Sequence, residues 1–203
     1  EWAMIPRDDS GSAFPRKKAI TAKVAGSETQ RRGTITIEAS YVPGISAFDY
    51  RLYGAGKLVP AGTDLVFSMH YTPNGKDVID HSKLAFTISK KPPSMRYMTF
   101  AISSPTDADT FTIPPNAPNW ESPTAEATFM EDCEIVWMQP HMHLRGKDMT
   151  YVAKYPDGRE EVLLSVPQYD FNWQNTYQPS TPVRLPAGTV LETVGHYDNS
   201  VRN

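Results

Sequence analysis

Residues 150–165, TYVAKYPDGREEVLLS, give the first indication of the fold. Side chains in residues 150–155 alternate between the two faces of an extended chain, as they do in a half-buried strand. Pro156-Asp157-Gly158 is a strong turn sequence, and residues 161–165 form a second apolar run after it. The segment therefore predicts a β-hairpin.

The rest of the chain carries few helix signals. Its 203 residues include 18 prolines and 12 glycines, which interrupt long helices. Alternating runs at 34–38 and 84–89 predict further strands. Because 39% of the residues are hydrophobic and 11% are aromatic, the chain can build real cores. We therefore expect an all-β protein made of antiparallel β-sandwiches.

Charge and hydropathy exclude two classes of partner. A net charge of −3 provides no basic surface for nucleic acid. No apolar run reaches the roughly 18–20 residues of a transmembrane segment. The chain begins with Glu1, so either a signal peptide has been removed or a longer protein is expected. Cys133, the only cysteine, lies between Asp132 and Glu134, which raise a thiol pKa, and it is expected to be structural.

An internal repeat indicates two related domains. Pro60-Ala61-Gly62-Thr63 precedes His70-Tyr71, and Pro186-Ala187-Gly188-Thr189 precedes His196-Tyr197. Both the prolines and the histidines are offset by 126 residues, from 60 to 186 and from 70 to 196. A single turn of this kind recurs by chance in β proteins, but the matching His-Tyr pairs favour duplication. We predict domains at 1–104 and 105–203, with the boundary inside the polar, proline-rich stretch 103–123.

His141 and His143 are the clearest candidate metal ligands. They stand at i and i+2 in WMQPHMHL, residues 137–144, and in a strand these positions face the same side. Imidazole suits zinc, copper, iron and nickel, whereas a thioether selects Cu(I). On spacing alone, two ordinary strand histidines are an equal alternative.

The other three histidines carry weaker signals. His70 closes the run LVFSMH at 65–70, where a lone histidine is usually structural, and His81 lies in a polar turn where solvation is expected. His196 follows Gly195, and a buried, hydrogen-bonded histidine is the usual state there. The sequence contains no Gly-x-Ser-x-Gly elbow, phosphate-binding glycine loop or Cys-x-x-Cys pair.

The segments around these histidines resemble the copper type II, ascorbate-dependent monooxygenases. This group contains the peptidylglycine α-hydroxylating and dopamine β-monooxygenases and their bacterial relatives. The resemblance runs from about residue 44 to the end of the chain. It is carried by PAGT at 60–63, MHYTPNGK at 69–76, QPHMHLRGK at 139–147, LSVPQYDFNWQ at 164–174 and HYDNS at 196–200.

The resemblance implies two tandem jelly-roll-like sandwiches with one copper ion each. The first, at 1–104, would be incomplete and would carry an electron-transfer copper, for which His70 matches one ligand. The second, at 105–203, would carry the oxygen-activating copper, and His141 and His143 match its two histidine ligands and are the implied catalytic residues. The implied partners are O2, a small-molecule substrate and ascorbate or another one-electron reductant. The implied location is secreted or periplasmic.

The sequence also departs from the family pattern. The family's adjacent His-His pair is expected before Glu1 and its methionine ligand beyond Asn203, so the chain is expected to be an internal fragment of a longer protein with further domains. Where peptide-amidating members have an arginine that holds the substrate carboxylate, this chain has Gln139. Gln139 is a candidate substrate-binding residue, but an amide cannot form a charge-assisted clamp, so peptide amidation is not expected.

Two hypotheses follow from different functional classes. The leading one is a copper-dependent monooxygenase that hydroxylates a C–H bond of a small substrate. The alternative is a non-catalytic secreted β-sandwich, a binding or structural module with a vestigial or simple copper-binding His-x-His; a copper-carrying or sensing domain is a third reading. His196 stays open, because the repeat pairs it with His70 whereas the resemblance takes the third ligand from a methionine. We favour a structural role for it.

Overall fold

The structure, a computed structural model, describes residues 2–6, 23–24, 36–39, 48–59, 63–67, 69–104 and 111–203. Within these residues the only helical element is a 3₁₀ turn at Tyr50–Tyr53, and no helix is long and apolar enough to cross a membrane. The strands of the described residues, in chain order, are β1 (Trp2–Pro6), β2 (Lys23–Val24), β3 (Thr36–Ala39), β4 (Ala55–Gly56), β5 (Thr63–Phe67), β6 (Met95–Arg96), β7 (Trp120–Glu121), β8 (Ala125–Thr128), β9 (Cys133–Ile135), β10 (Gly146–Lys154), β11 (Glu160–Val166), β12 (Val183–Leu185) and β13 (Val190–Tyr197).

The chain divides into two compact units. The first comprises Glu1–Pro15 and Thr29–Ala101, and the second comprises Arg16–Glu28 and Ile102–Asn203. In the first unit β1 pairs antiparallel with both β3 and β5, and β4 pairs parallel with β6. The second unit also takes in β2, which pairs with β8. The fold of the described residues is therefore all-β, as the sequence predicts.

Two strand predictions in the first unit have different outcomes. Thr36–Ala39 forms β3 and pairs with β1, whereas residues 34 and 35 lie outside the described residues. Residues 84–89 form no strand, so that prediction is wrong. Of the large apolar side chains of that run, Phe86 and Ile88 are exposed and Leu84 is partly buried. Alternation predicts a strand only where a neighbouring strand pairs with it, and none of the strands in the described residues pairs with this run.

The second unit is built on one antiparallel sheet. Its strand order is β11-β10-β13-β8-β2, and β7 pairs with β13 beside β8. The predicted hairpin is confirmed, since β10 and β11 pair from Met149↔Val166 to Lys154↔Glu160. At its turn the Tyr155 amide donates to the Arg159 carbonyl at 2.8 Å. Local sequence therefore specifies this part of the sheet.

The core of the second unit lies between this sheet and the antiparallel pair β9–β12. Along β13 every second residue is buried, beginning with Leu191, because successive side chains of a strand point to opposite faces. Leu191 packs with Ala153 of β10, and Leu185 of β12 joins the same cluster. The full cluster is Phe129, Ala153, Tyr155, Leu185 and Leu191, with Ile102, Cys133, Ile135, Tyr151, Leu163 and Val183 packed against it.

The repeat has different surroundings in its two copies. In the second copy Thr189 is fully buried and its hydroxyl donates to the Pro186 carbonyl at 2.7 Å, which closes the turn before β13. His196-Tyr197 then ends β13. In the first copy residues 60–62 lie outside the described residues, and His70-Tyr71 follows the end of β5 outside any strand. The local structure at His70 is therefore unlike that at His196.

We predict that Cys133 reacts slowly with thiol reagents. Burial, assisted by Asp132 and Glu134, raises the pKa of its thiol to about 11. Since the thiolate is the nucleophile, labelling at about pH 9 is expected to be about 100-fold slower than for a free cysteine with an ordinary pKa. The rate is measured with a disulfide reagent whose released thiolate absorbs at about 412 nm, over a time on the order of minutes. Urea-unfolded protein is the control. Equal rates before and after unfolding would contradict it.

Candidate functional site

The His-x-His segment is not part of a strand. The expectation of a strand is wrong here, because β10 begins only at Gly146 and the preceding segment makes a single bridge, between Met138 and Tyr177. The period-two alternation nevertheless holds. Met138, Pro140 and Met142 are buried, whereas His141 and His143 are exposed. Both imidazoles therefore lie on the solvent side, which is the property that the spacing predicts.

Met142, between the two histidines, anchors the segment. Its amide donates to the Tyr169 hydroxyl at 3.1 Å, and the same hydroxyl donates to the Met142 carbonyl at 2.6 Å. Burial raises the pKa of Tyr169, so the phenol keeps the proton that it donates. The Met142 side chain lies over Gly195, with its Cε 2.8 Å from the position of a Cβ there. Met142 is thus committed to the interior and is not placed as a ligand of an ion at the exposed pair.

A loop at residues 167–177 lies beside the His-x-His segment. At one end the Tyr169 amide donates to the Lys147 carbonyl at 2.8 Å. At the other end Tyr177 and Met138 exchange backbone hydrogen bonds of 2.8 and 2.9 Å. Between them the Asp170 carboxylate accepts from the Asn172 amide at 2.8 Å, which forms a local turn. The loop is therefore fastened to the His-x-His segment and to β10.

Gln174, in this loop, contacts His141 directly. Its Oε1 lies 2.7 Å from His141 Nδ1. Its Nε2 donates to the Phe171 carbonyl at 3.0 Å. Gln139, the candidate substrate-binding residue, is half-buried and donates from its Nε2 to the Gln174 main-chain carbonyl at 3.2 Å. The amide nitrogen of Gln139 thus binds the loop.

The two imidazoles lie close to each other. Their ring centroids are 5.3 Å apart and their planes are nearly perpendicular, at 87°. An ion about 2.0–2.1 Å from a ring nitrogen lies about 3.2 Å from the ring centroid, so two ligand rings at square or tetrahedral angles are about 4.5–5.2 Å apart. The observed separation is close to this range. No group of three histidine, cysteine, aspartate or glutamate side chains suited to a metal occurs among the described residues.

Exposed apolar side chains surround the pair. The His143 ring meets the Phe171 ring edge to face, with centroids 6.4 Å apart. Trp173 in the same loop and Leu144, next to His143, are 68% and 73% exposed. An apolar molecule could therefore contact carbon surface beside the imidazoles.

His196 lies in a different environment on β13. Its Nδ1 is 2.6 Å from Asp148 Oδ1, and its Nε2 is 3.4 Å from Glu121 Oε2. Both ring nitrogens face carboxylates, so His196 links β13 to β10 and β7.

The remaining candidates lie elsewhere in the chain. His70 belongs to the first unit and is exposed beyond the end of β5. His81 is exposed in an irregular segment of the same unit. Of the predicted site residues, the structure brings together His141, His143 and Gln139 on one segment, with Gln174 and Tyr169 added from the loop. Both lie in the segment 164–174 that carries part of the family resemblance, but neither residue type nor spacing connects them to the histidines.

Comparison of the chain with protein-family models, with curated proteins and with solved structures finds no match.

Proposed function

We propose that this protein is a copper-dependent monooxygenase and that His141 and His143 hold its oxygen-activating copper. One observation carries the proposal: two exposed imidazoles two positions apart in the chain, with ring centroids 5.3 Å apart. Imidazole is a good copper ligand, and the resemblance of the surrounding sequence to copper type II monooxygenases selects copper over zinc. On this proposal His70 is a ligand of a second, electron-transfer copper, and the protein has two tandem jelly-roll domains and is secreted or periplasmic.

The chemistry of the proposed reaction is C–H hydroxylation. A substrate RH, O2, two electrons and two protons give ROH and water, and ascorbate or another one-electron reductant supplies the electrons. Copper, when bound, supplies the redox chemistry with O2. The chain's own residues position the reactants. His141 and His143 would hold the metal ion. Phe171 and Trp173 offer apolar surface to the substrate. Gln139 contributes a neutral amide rather than a charge, which favours a substrate without a carboxylate anchor.

Copper titration tests the metal site. Cu(II) binding is measured by EPR and by competition with a chelator. Loss of a hydrogen bond that supports a metal ligand lowers metal affinity by about 10–100-fold. His141→Ala and His143→Ala each remove a ligand itself, so each is expected to lower the copper affinity by more than this. His81→Ala, which removes an exposed histidine from the other unit, is the matched control and is expected to leave this site unchanged. Unchanged copper affinity in the His141→Ala/His143→Ala double variant would refute the site.

Oxygen uptake separates the enzyme from the alternative module. The full-length protein, loaded with copper and supplied with ascorbate, is expected to consume O2 faster when an apolar or aromatic small molecule is added, and His141→Ala is expected to abolish the increase. Copper binding without substrate-dependent uptake over a broad panel would instead favour the non-catalytic copper-binding sandwich.

A further inference from the structure

We infer that Gln174 is a positioning residue, which holds His141 in the tautomer with the proton on Nδ1 and the lone pair on Nε2. The inference rests on the proposed copper site and names a residue that acts through the ligand. A neutral imidazole carries one proton, so the hydrogen bond at one nitrogen decides whether the other can bind a metal. His141 is exposed, and without a partner it would exchange between both tautomers.

The orientation of the Gln174 amide is fixed by its second contact. Its Nε2 donates to the Phe171 carbonyl at 3.0 Å. If the amide were flipped, Gln174 Oε1 would face the Phe171 carbonyl oxygen at that distance. Both atoms are acceptors and neither carries a proton, so the flip is unfavourable. Oε1 therefore faces His141 Nδ1 at 2.7 Å. Since an amide oxygen can only accept, the proton lies on Nδ1.

The loop supports this geometry from its other side. Gln139 donates to the Gln174 main-chain carbonyl at 3.2 Å, and Met138 and Tyr177 pair through their backbones just beyond. The backbone of Gln174 is thus tied to the segment that carries His141. A ligand whose outer nitrogen donates to a fixed acceptor is both oriented and made more basic, and losing such an acceptor costs about 10–100-fold in metal affinity.

The first experiment uses the metal-free protein. Long-range ¹H–¹⁵N correlation spectra at about pH 8.5, above the ordinary histidine pKa of about 6.5, report which nitrogen of each imidazole is protonated. The spectrum of His141→Ala assigns the His141 signals. The wild-type protein is expected to show His141 protonated at Nδ1. Gln174→Leu is expected to return it to the tautomer mixture of exposed His81.

The second experiment measures copper affinity in matched variants. Gln174→Leu removes the acceptor and is expected to weaken Cu(II) binding by about 10–100-fold. Gln174→Glu keeps an acceptor oxygen for His141 on a side chain of equal length and is expected to retain the Nδ1–H tautomer. It loses the donor to the Phe171 carbonyl, so the tautomer rather than the affinity is the readout for this variant. Asn172→Ala, in the same loop, controls for general loop disturbance and is expected to change neither.

The outcomes separate the two proposals. Wild-type protein that binds no copper refutes the proposed function, while the spectra of the metal-free protein still test the role of Gln174. His141 protonated at Nε2 in the wild-type protein, or an unchanged tautomer and affinity in Gln174→Leu, overturns the inference even if copper binds. Equal losses in Gln174→Leu and Asn172→Ala also overturn it, because they would indicate only a structural role for the loop.

Discussion

Replacing Leu185 by alanine is expected to destabilise the second unit by about 2–5 kcal/mol. Leu185 is 1% exposed on β12 and packs in one cluster with Ala153 and Leu191 of the opposing sheet. Truncation loses the transfer free energy of the removed carbons and leaves a cavity that the neighbours fill only in part. Because domains are stable by only about 5–15 kcal/mol in total, this is a large share.

Urea unfolding measures the loss as a change in the free energy of unfolding. Leu144→Ala is the matched control, because it makes the same substitution at a side chain that is 73% exposed. Its effect is expected within about 0.5 kcal/mol. Similar losses of stability in the two variants would contradict the packing of Leu185 on β12 into the core of the second unit.

The parts of the fold that the sequence predicts are the local ones. The β10–β11 hairpin has its strands and turn within one continuous segment, so alternation and Pro156-Asp157-Gly158 suffice to find it. The pairing of Lys23–Val24 with β8 joins residues that are about a hundred positions apart, and a two-residue strand has no periodicity to read. The run at 84–89 shows the converse, since it has the pattern of a strand but pairs with no strand in the described part of the chain.

The same distinction applies to the candidate site. His141 and His143 are two positions apart, so spacing alone predicts that they share a side, and this holds although the segment is not a strand. Gln174 is 33 residues and Tyr169 is 27 residues from the groups that they contact. Such contacts depend on how the loop returns over β10, which a single sequence does not encode in any periodic form.

The glycines beside the site illustrate what a single sequence conceals. Gly146 looks like an ordinary loop glycine in the sequence, yet the structure places three groups against it. A Cβ there would lie 2.6 Å from Met142 Cβ, 2.9 Å from the Tyr169 ring and 3.0 Å from the His143 carbonyl. These atoms belong to the His-x-His segment and to the tyrosine that anchors it.

Gly146→Ala is therefore expected to destabilise the second unit by about 1–3 kcal/mol and to weaken copper binding at His141 and His143. The new methyl group cannot be accommodated by rotating one side chain, since it meets a Cβ, a ring and a backbone oxygen together. Relief requires the 142–143 backbone to move, which shifts the imidazoles relative to each other. Urea unfolding and the copper titration measure the two effects.

Gly195→Ala supplies the graded control, because it adds the same methyl group on the other side of Met142. Its closest contact is Met142 Cε at 2.8 Å, the end of a flexible side chain, and its next contacts are at 3.5 Å. A thioether end can rotate at smaller cost than a backbone segment can shift, so Gly195→Ala is expected to cost less stability and to leave copper affinity closer to wild type. A larger loss of stability and copper affinity in Gly195→Ala than in Gly146→Ala would contradict the packing of Met142. It would also contradict the inference that this packing fixes the spacing of the two histidines.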